Sequence, residues 1–211
     1  MKFEQLMAAV IHDIKNQLQT LLDYENEALA QVPEQYHKHI QPILQRTSRL
    51  KNDTLQMMIL FGIEDNNDFP YDDAWPKDSV SHAIDEVQIM FPNISFINSI
   101  DDNCQGVYNE QLVQLALVTI ITNSIQAGAA EIIVSADNSE GLVIHIEDNG
   151  HGFSQDILSG ANQTTKQDGS GLGLYFVRLI AEHHKQGDKQ GRIEYSNRPK
   201  KNGARVSIYL P

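Results

Sequence analysis

Four short stretches of this sequence hold residue types whose spacing could support chemistry. His12-Asp13-Ile14-Lys15-Asn16-Gln17-Leu18 places an imidazole beside a carboxylate and one helical turn before a carboxamide. Imidazole is nucleophilic near neutral pH because a large share of it is uncharged there. Thr122-Asn123-Ser124-Ile125-Gln126-Ala127 sets an asparagine inside an apolar run, where an amide is costly to bury unless it is satisfied. Glu147-Asp148-Asn149-Gly150-His151-Gly152-Phe153 ends a strand-like run. A carboxylate there can accept a hydrogen bond from an exocyclic amine, and the glycines let backbone approach a flat ligand closely. Gly169-Ser170-Gly171-Leu172-Gly173-Leu174 leads into a helical pattern, and free N–H groups at such a helix start attract anions. Taken singly, each has a plain reading: a solvated histidine, a capped asparagine, a turn, a glycine-rich helix start. Their order and company carry the argument.

The elements that must hold them fall into two textures. Residues 1–63 read as a helical hairpin. Phe3, Met7, Val10, Ile14, Leu18 and Leu21 recur at heptad steps in the first helix, and Tyr36, Ile40, Ile43, Thr47, Leu50, Thr54, Met57 and Phe61 in the second. Gln31-Val32-Pro33-Glu34 separates them, Pro33 is placed to begin the second helix, and Pro42 should bend it. Two helices cannot cover their own apolar stripes, so the hairpin predicts a homodimeric four-helix bundle. His12 lies two residues from both Val10 and Ile14 and should face away from that seam. Residues 64–78, with two prolines, Asn-Asn and several aspartates, read as a linker. From 79 to 211 helices and strands mix without a regular repeat. Helices are expected near 79–91, 109–127 and 172–184, and strands at 94–100, 131–136, 142–147, 192–196 and 205–210. That pattern predicts an α+β sandwich with helices on one face of a mixed sheet.

Composition narrows the function classes. The 211 residues carry a formal net charge of −12, which disfavours a direct nucleic-acid partner. A single cysteine, Cys104, cannot form an internal disulfide. The close pairs His37/His39 and His183/His184 lack flanking ligands at metal spacing and read as solvated helix faces. No run approaches the roughly 20 apolar residues of a membrane span, and no signal peptide is evident. A cytoplasmic protein is the expectation.

An asparagine on a helix, then DxGxG after a strand, then GxGLGL before a helix resembles the boxes of the GHKL (Bergerat) ATP-binding fold. That superfamily includes histidine kinases, DNA gyrase and MutL. The resemblance spans residues 79–211, including the closing strand Gly203-Ala204-Arg205-Val206-Ser207-Ile208-Tyr209-Leu210-Pro211. It implies ATP and Mg²⁺ as cofactors, with Asn123 coordinating the metal and Asp148 receiving the adenine amino group. Gly150 and Gly152 would line the base pocket, with Gly169, Gly171, Leu172, Gly173 and Leu174 against the triphosphate and Gln126 beside them. Thr165 and Lys166 would lie in the lid segment, where Lys166 is a phosphate contact or a solvated charge. The stretch around His12 resembles the H-box of histidine kinase dimerisation domains. By that resemblance His12 accepts the γ-phosphoryl group, Asp13 is the base, and Asn16 positions water when a partner's phosphoaspartate is hydrolysed.

Two positions depart from the family pattern. Gln17 stands where the kinases usually have proline, and Thr119 where they often have asparagine and the gyrase-like ATPases a water-activating glutamate. With threonine there, transfer to His12 fits better than hydrolysis. The resemblance implies a histidine kinase core that passes phosphate to an aspartate in the receiver domain of a response regulator. Only eleven residues precede His12, so a sensor would be a separate protein docking on the bundle. Two alternatives stand beside it: a regulator phosphatase or phosphotransferase without autokinase activity, and a nucleotide-binding dimeric adaptor.

Overall fold

The computed structural model describes residues 3–63, 70–139, 141–159, 173–199 and 202–211, with backbone alone for 3–9, 56–63 and 156. The chain divides into two compact units, Met1–Asp68 and Phe69–Pro211.

The first unit is an antiparallel helical hairpin. Helix α1 runs Phe3–Gln31, a 3₁₀ turn covers Glu34–Tyr36, and α2 runs His37–Ile63. Pro33 precedes the 3₁₀ turn rather than α2 itself, and Pro42 sits inside α2. The ring of Pro42 is exposed, so water can replace the N–H it denies to the carbonyl four residues back. The helices pack through Ile11, Leu18 and Leu22 on α1 and Leu44, Ser48 and Thr54 on α2, all buried. Across this seam Thr47 Oγ1 donates to Glu25 Oε1 at 2.8 Å. The stripe read from the sequence is thus divided. Leu18 and Thr54 are buried, but Val10, Ile14 and Leu21 on α1 and Tyr36, Ile43 and Leu50 beyond it remain 41–56% exposed. Both stripes repeat at helical spacing and lie side by side, and periodicity cannot say which one the hairpin uses for itself.

The second unit is a sandwich of three helices on a five-stranded mixed sheet. Strands β2 (Ser95–Asn98), β4 (Glu131–Asp137), β5 (Leu142–Asp148), β8 (Arg192–Asn197) and β9 (Ala204–Leu210) lie in the order β2-β4-β5-β9-β8. Only the β2–β4 pair is parallel. Side chains alternate along β5: Leu142, Ile144, Ile146 and Asp148 are buried, while Val143, His145 and Glu147 are partly exposed, as a sheet covered on one face requires. The covering helices are α3 (Pro76–Met90), α4 (Glu110–Gln126) and α6 (Gly173–His183). Pro76 opens α3 with the fixed φ suited to a first turn. Asn109 caps α4 by accepting from Leu112 N at 2.9 Å. Ten of the 17 residues of α4 are buried, which makes it the spine of the core.

The expected linker of residues 64–78 is shorter than composition suggested. Strand β1 (Asp72–Ala74) pairs antiparallel with β3 (Gly106–Tyr108), and α3 begins at Pro76. Residues 71–78 thus belong to the second unit. The short helix α5 (Gln155–Leu158) and the hairpin of β6 (Lys185–Gln186) and β7 (Lys189–Gln190) also escaped the sequence pattern.

Candidate functional site

Asp148 ends β5 and is 3% exposed. A bare carboxylate there would be costly, and the fold surrounds it with donors. Its Oδ1 accepts from Gly150 N at 2.9 Å and from Ala204 N at 3.1 Å. Its Oδ2 accepts from Ser124 Oγ at 2.7 Å. A carboxylate has about four lone-pair sites, and among the described residues three are used, two on Oδ1 and one on Oδ2. The loop that follows is shaped by close approach. A Cβ on Gly150 would lie 2.7 Å from Ala127 O, and Gly152 holds φ +78° with Asn197 Oδ1 beside it. Asn197 clasps the loop as a backbone strand would: Oδ1 accepts from Phe153 N at 2.7 Å, and Nδ2 donates to Phe153 O at 2.9 Å.

Asn123 is half-buried on α4, one residue before the serine that holds Asp148. Gly173, the first residue of α6, lies against it: a Cβ there would sit 3.2 Å from Asn123 Nδ2 and from Thr119 Cγ2. The structure thereby brings Asn123 against Gly173 and Asp148 against Gly150 in the second unit, with Leu174 and Gly152 close by in sequence. Gln126 is the exposed last residue of α4. Thr165, Lys166, Gly169, Gly171 and Leu172 lie outside the described residues. Thr119 is buried and its hydroxyl donates to Leu115 O at 2.7 Å, so it presents no base beside Asn123.

Several residues of this site were not singled out by sequence reasoning. Ser124 appeared inside a motif without a role. Gly203, at φ +123°, comes so close to the Asp148 carbonyl that any Cβ would overlap it; the approach delivers the Ala204 N–H to the carboxylate. Arg198 donates Nη1 to Asp148 O at 3.1 Å and pairs through Nε with Glu147 Oε2 at 3.3 Å. Glu147 is also paired with Arg205.

The second candidate centre is on α1, in the first unit. The His12 side chain is 56% exposed, with Asp13 Oδ1 3.9 Å from its Nδ1. Asn16 Nδ2 lies 3.3 Å from the same nitrogen. Nδ1 therefore faces polar neighbours on its own helix. Among the described residues no group of three or more His, Cys, Asp or Glu side chains is placed to hold a metal ion. No described helix is long and apolar enough to cross a membrane. Of the close histidine pairs, His184 is not a solvated residue as expected: it is 1% exposed and bonded at both ring nitrogens.

Comparison with known proteins agrees with this geometry. Residues 108–211 match the family described as histidine kinase-, DNA gyrase B-, and HSP90-like ATPase. The chain is 24% identical over 221 residues to the signal transduction histidine-protein kinase AtoS of Escherichia coli K12, covering 98% of this chain and 34% of that protein. It is 32% identical over 139 residues to the sensory histidine kinase/phosphatase NtrB of Azospirillum brasilense, covering 55% of this chain and 33% of the other. The chain thus spans about a third of the length of these relatives. Among solved structures, full-length ShkA in complex with AMPPNP aligns with a TM-score of 0.65 at 14% identity, over 100% of this chain and 46% of that one. The catalytic domain of histidine kinase ThkA aligns with a TM-score of 0.56 at 21% identity, over 67% and 95%.

Proposed function

We propose that the chain is the catalytic core of a two-component histidine kinase, because residues 108–211 match the histidine kinase-, DNA gyrase B-, and HSP90-like ATPase family. It binds ATP in the second unit and transfers the γ-phosphoryl group to Nε2 of His12. The observation that carries the reading is the Asp148 carboxylate, buried, held among the described residues by three donors and left with one lone-pair site for an adenine amino group. Gly150 and Gly152 supply the backbone against which a flat base packs. The start of α6 supplies N–H groups for phosphate. The oxygen of the half-buried Asn123 carboxamide is a hard donor of the kind Mg²⁺ takes. Bound there, the ion would neutralise charge on the phosphates.

Attack requires a lone pair on Nε2, hence a proton on Nδ1, the nitrogen that Asp13 and Asn16 face. An asparagine amide turned over would present Oδ1 to that N–H. As the N–P bond forms, the bond from the γ-phosphorus to the bridging oxygen breaks and ADP leaves. The imidazole becomes cationic, and the Asp13 carboxylate stabilises it and accepts its Nδ1 proton. Thr119 argues for transfer over hydrolysis, because its bonded hydroxyl cannot activate water.

The phosphohistidine then donates to an aspartate of a response regulator receiver domain. Asn16, exposed beside His12, supports a second activity in which it orients water toward that phosphoaspartate. The half-exposed stripe of the hairpin supports a homodimer, and a cytoplasmic location with a separate sensor protein fits the same reading. The test is autophosphorylation with labelled ATP and Mg²⁺, comparing the native chain with His12→Ala and Asn123→Ala. Acid-labile, alkali-stable label abolished by both substitutions is expected. Histidine label surviving in His12→Ala would refute the assignment.

A further inference from the structure

Helices α4 and α6 meet twice. At one end Gly173, the first residue of α6, lies against Asn123 near the end of α4. At the other end the start of α4 is tied to His184, just past the end of α6. Asn109 N donates to His184 Nε2 at 3.1 Å, and His184 Nδ1 bonds Ile180 O at 2.7 Å. A backbone N–H can only donate, and a carbonyl can only accept. The two partners therefore fix the neutral ring with its proton on Nδ1.

The same knot holds the segment by which the chain joins the second unit. Asn109 Nδ2 donates to Pro70 O at 3.0 Å while Asn109 Oδ1 caps α4. The Tyr71 ring stacks on His184, with centroids 4.9 Å apart and planes 19° from parallel, and Tyr71 Oη donates to His183 O at 2.6 Å. His184 and Asn109 are both buried. Asn109 lies about 20 Å along α4 from Asn123, at 1.5 Å of helix per residue.

We propose that Tyr71, Asn109 and His184 form a latch that sets nucleotide affinity by fixing α4 against α6, and that it holds only while His184 is neutral. The proposal rests on the reading of the second unit as an ATP site. The latch residues touch no nucleotide; they are positioning residues. Protonation at Nε2 would set two N–H groups against each other 3.1 Å apart and open the contact. Released there, α4 can shift along α6, and the spacing of Asn123 from the start of α6 changes with it.

The surroundings oppose protonation. Burial holds His184 below the usual imidazole range, opposed by its bond to Ile180 O and aided by His183 beside it. Lys185 follows on β6 and adds positive charge near His183. Tyr71 contributes an uncharged ring, itself pushed above the usual phenol range by its burial. The start of α4 presents the Asn109 backbone N–H, with exposed Glu110 next in sequence.

The test measures AMPPNP affinity of the full chain by calorimetry from pH 8 to pH 5, for the native protein, His184→Gln and His184→Phe. Glutamine can accept from the Asn109 N–H and does not titrate. Its affinity is expected to stay within about threefold of native at pH 8, because the acceptor is kept. As the pH falls past the ordinary imidazole value into the lower range where burial places His184, its imidazole takes up a proton and the native protein should lose affinity relative to His184→Gln. The ionisation of the nucleotide cancels in that ratio. Phenylalanine offers no acceptor, and His184→Phe should bind roughly tenfold or more weakly throughout. A native-to-glutamine ratio that is flat with pH, with binding intact, would overturn the latch alone. Absence of any AMPPNP binding by the native chain would instead overturn the kinase reading and the affinity claim with it.

Discussion

Replacing Asp148 with asparagine separates what this carboxylate does for the fold from what it does for the ligand. The carboxamide in Asp148→Asn would keep a carbonyl oxygen where Oδ1 now accepts from Gly150 N and Ala204 N. Its NH₂ could donate to Ser124 Oγ in place of the bond that oxygen now gives to Oδ2. The Ser124 hydroxyl proton must then turn to another acceptor, so Asp148→Asn should fold with a modest loss of stability. What it loses is the lone-pair site left on Oδ2, replaced by an N–H that meets the adenine amino group donor to donor. A hydrogen bond to a charged group contributes about 1.5–3 kcal/mol, and each 1.4 kcal/mol is tenfold. ATP affinity should therefore fall by about 10- to 100-fold. Asp148→Ala is the contrasting case. It strands the Gly150 N–H, the Ala204 N–H and the Ser124 hydroxyl together, at about 1–3 kcal/mol each. The sum is comparable to a domain's whole stability of about 5–15 kcal/mol, so this variant should unfold or nearly so. Calorimetric titration with ATP, beside thermal melts of both variants, reads the two effects separately. Asp148→Asn binding ATP within twofold of native would refute the assignment of the free lone pair. Asp148→Ala melting like the native protein would refute the account of the three donors.

Gly203→Ala should destabilise the second unit by at least about 1–3 kcal/mol, the scale for holding a side chain in a sparsely populated backbone region, and should weaken ATP binding by drawing the Ala204 N–H away from Asp148; unchanged melting and affinity would contradict this. Acid should weaken the second unit before its carboxylates titrate, because burial holds His145, His183 and His184 all below the ordinary imidazole value of 6.5. As pH falls below about 6.5 the unfolded chain takes up protons that the folded chain does not, so stability rises with pH across that window and is lost on the way down. Urea titrations followed through Trp75, the single tryptophan and a residue of the second unit, should show a lower midpoint at pH 5 than at pH 7.5. Asp101 and Asp137, held below the usual carboxylate range by hydrogen bonds from Asn103 and Ser139, act only at more acid pH. A midpoint that does not fall between pH 7.5 and pH 5 would count against the buried neutral histidines.

What the sequence disclosed followed the range of the interactions involved. Helix α4 was legible as a long apolar run, and strands β4 and β5 because their burial alternates. Strands β1 and β3 were not: each has three residues, too few to show a period, and they gain their pairing from one another. The loop after β5 was legible because its carboxylate and glycines are sequence neighbours. The donors to Asp148 were not, since Ser124 lies 24 residues before it and Ala204 lies 56 after. A serine after an asparagine, or an alanine opening a strand, carries no local signal of a carboxylate. The contact inside the hairpin was hidden for another reason. Ile11 and Val10 are adjacent, as are Leu22 and Leu21, and a helix rich in apolar residues on one side offers two registers that only the partner helix decides between.

The second of those registers has a consequence for abundance. If a second copy covers Val10, Ile14, Leu21, Ile43 and Leu50, the hairpin completes its core in a step that is second order in protein. Its stability then depends on how many molecules the cell holds, as for any obligate dimer. Dilution alone would then loosen the helix that carries His12, and the number of chains made would itself act as an input.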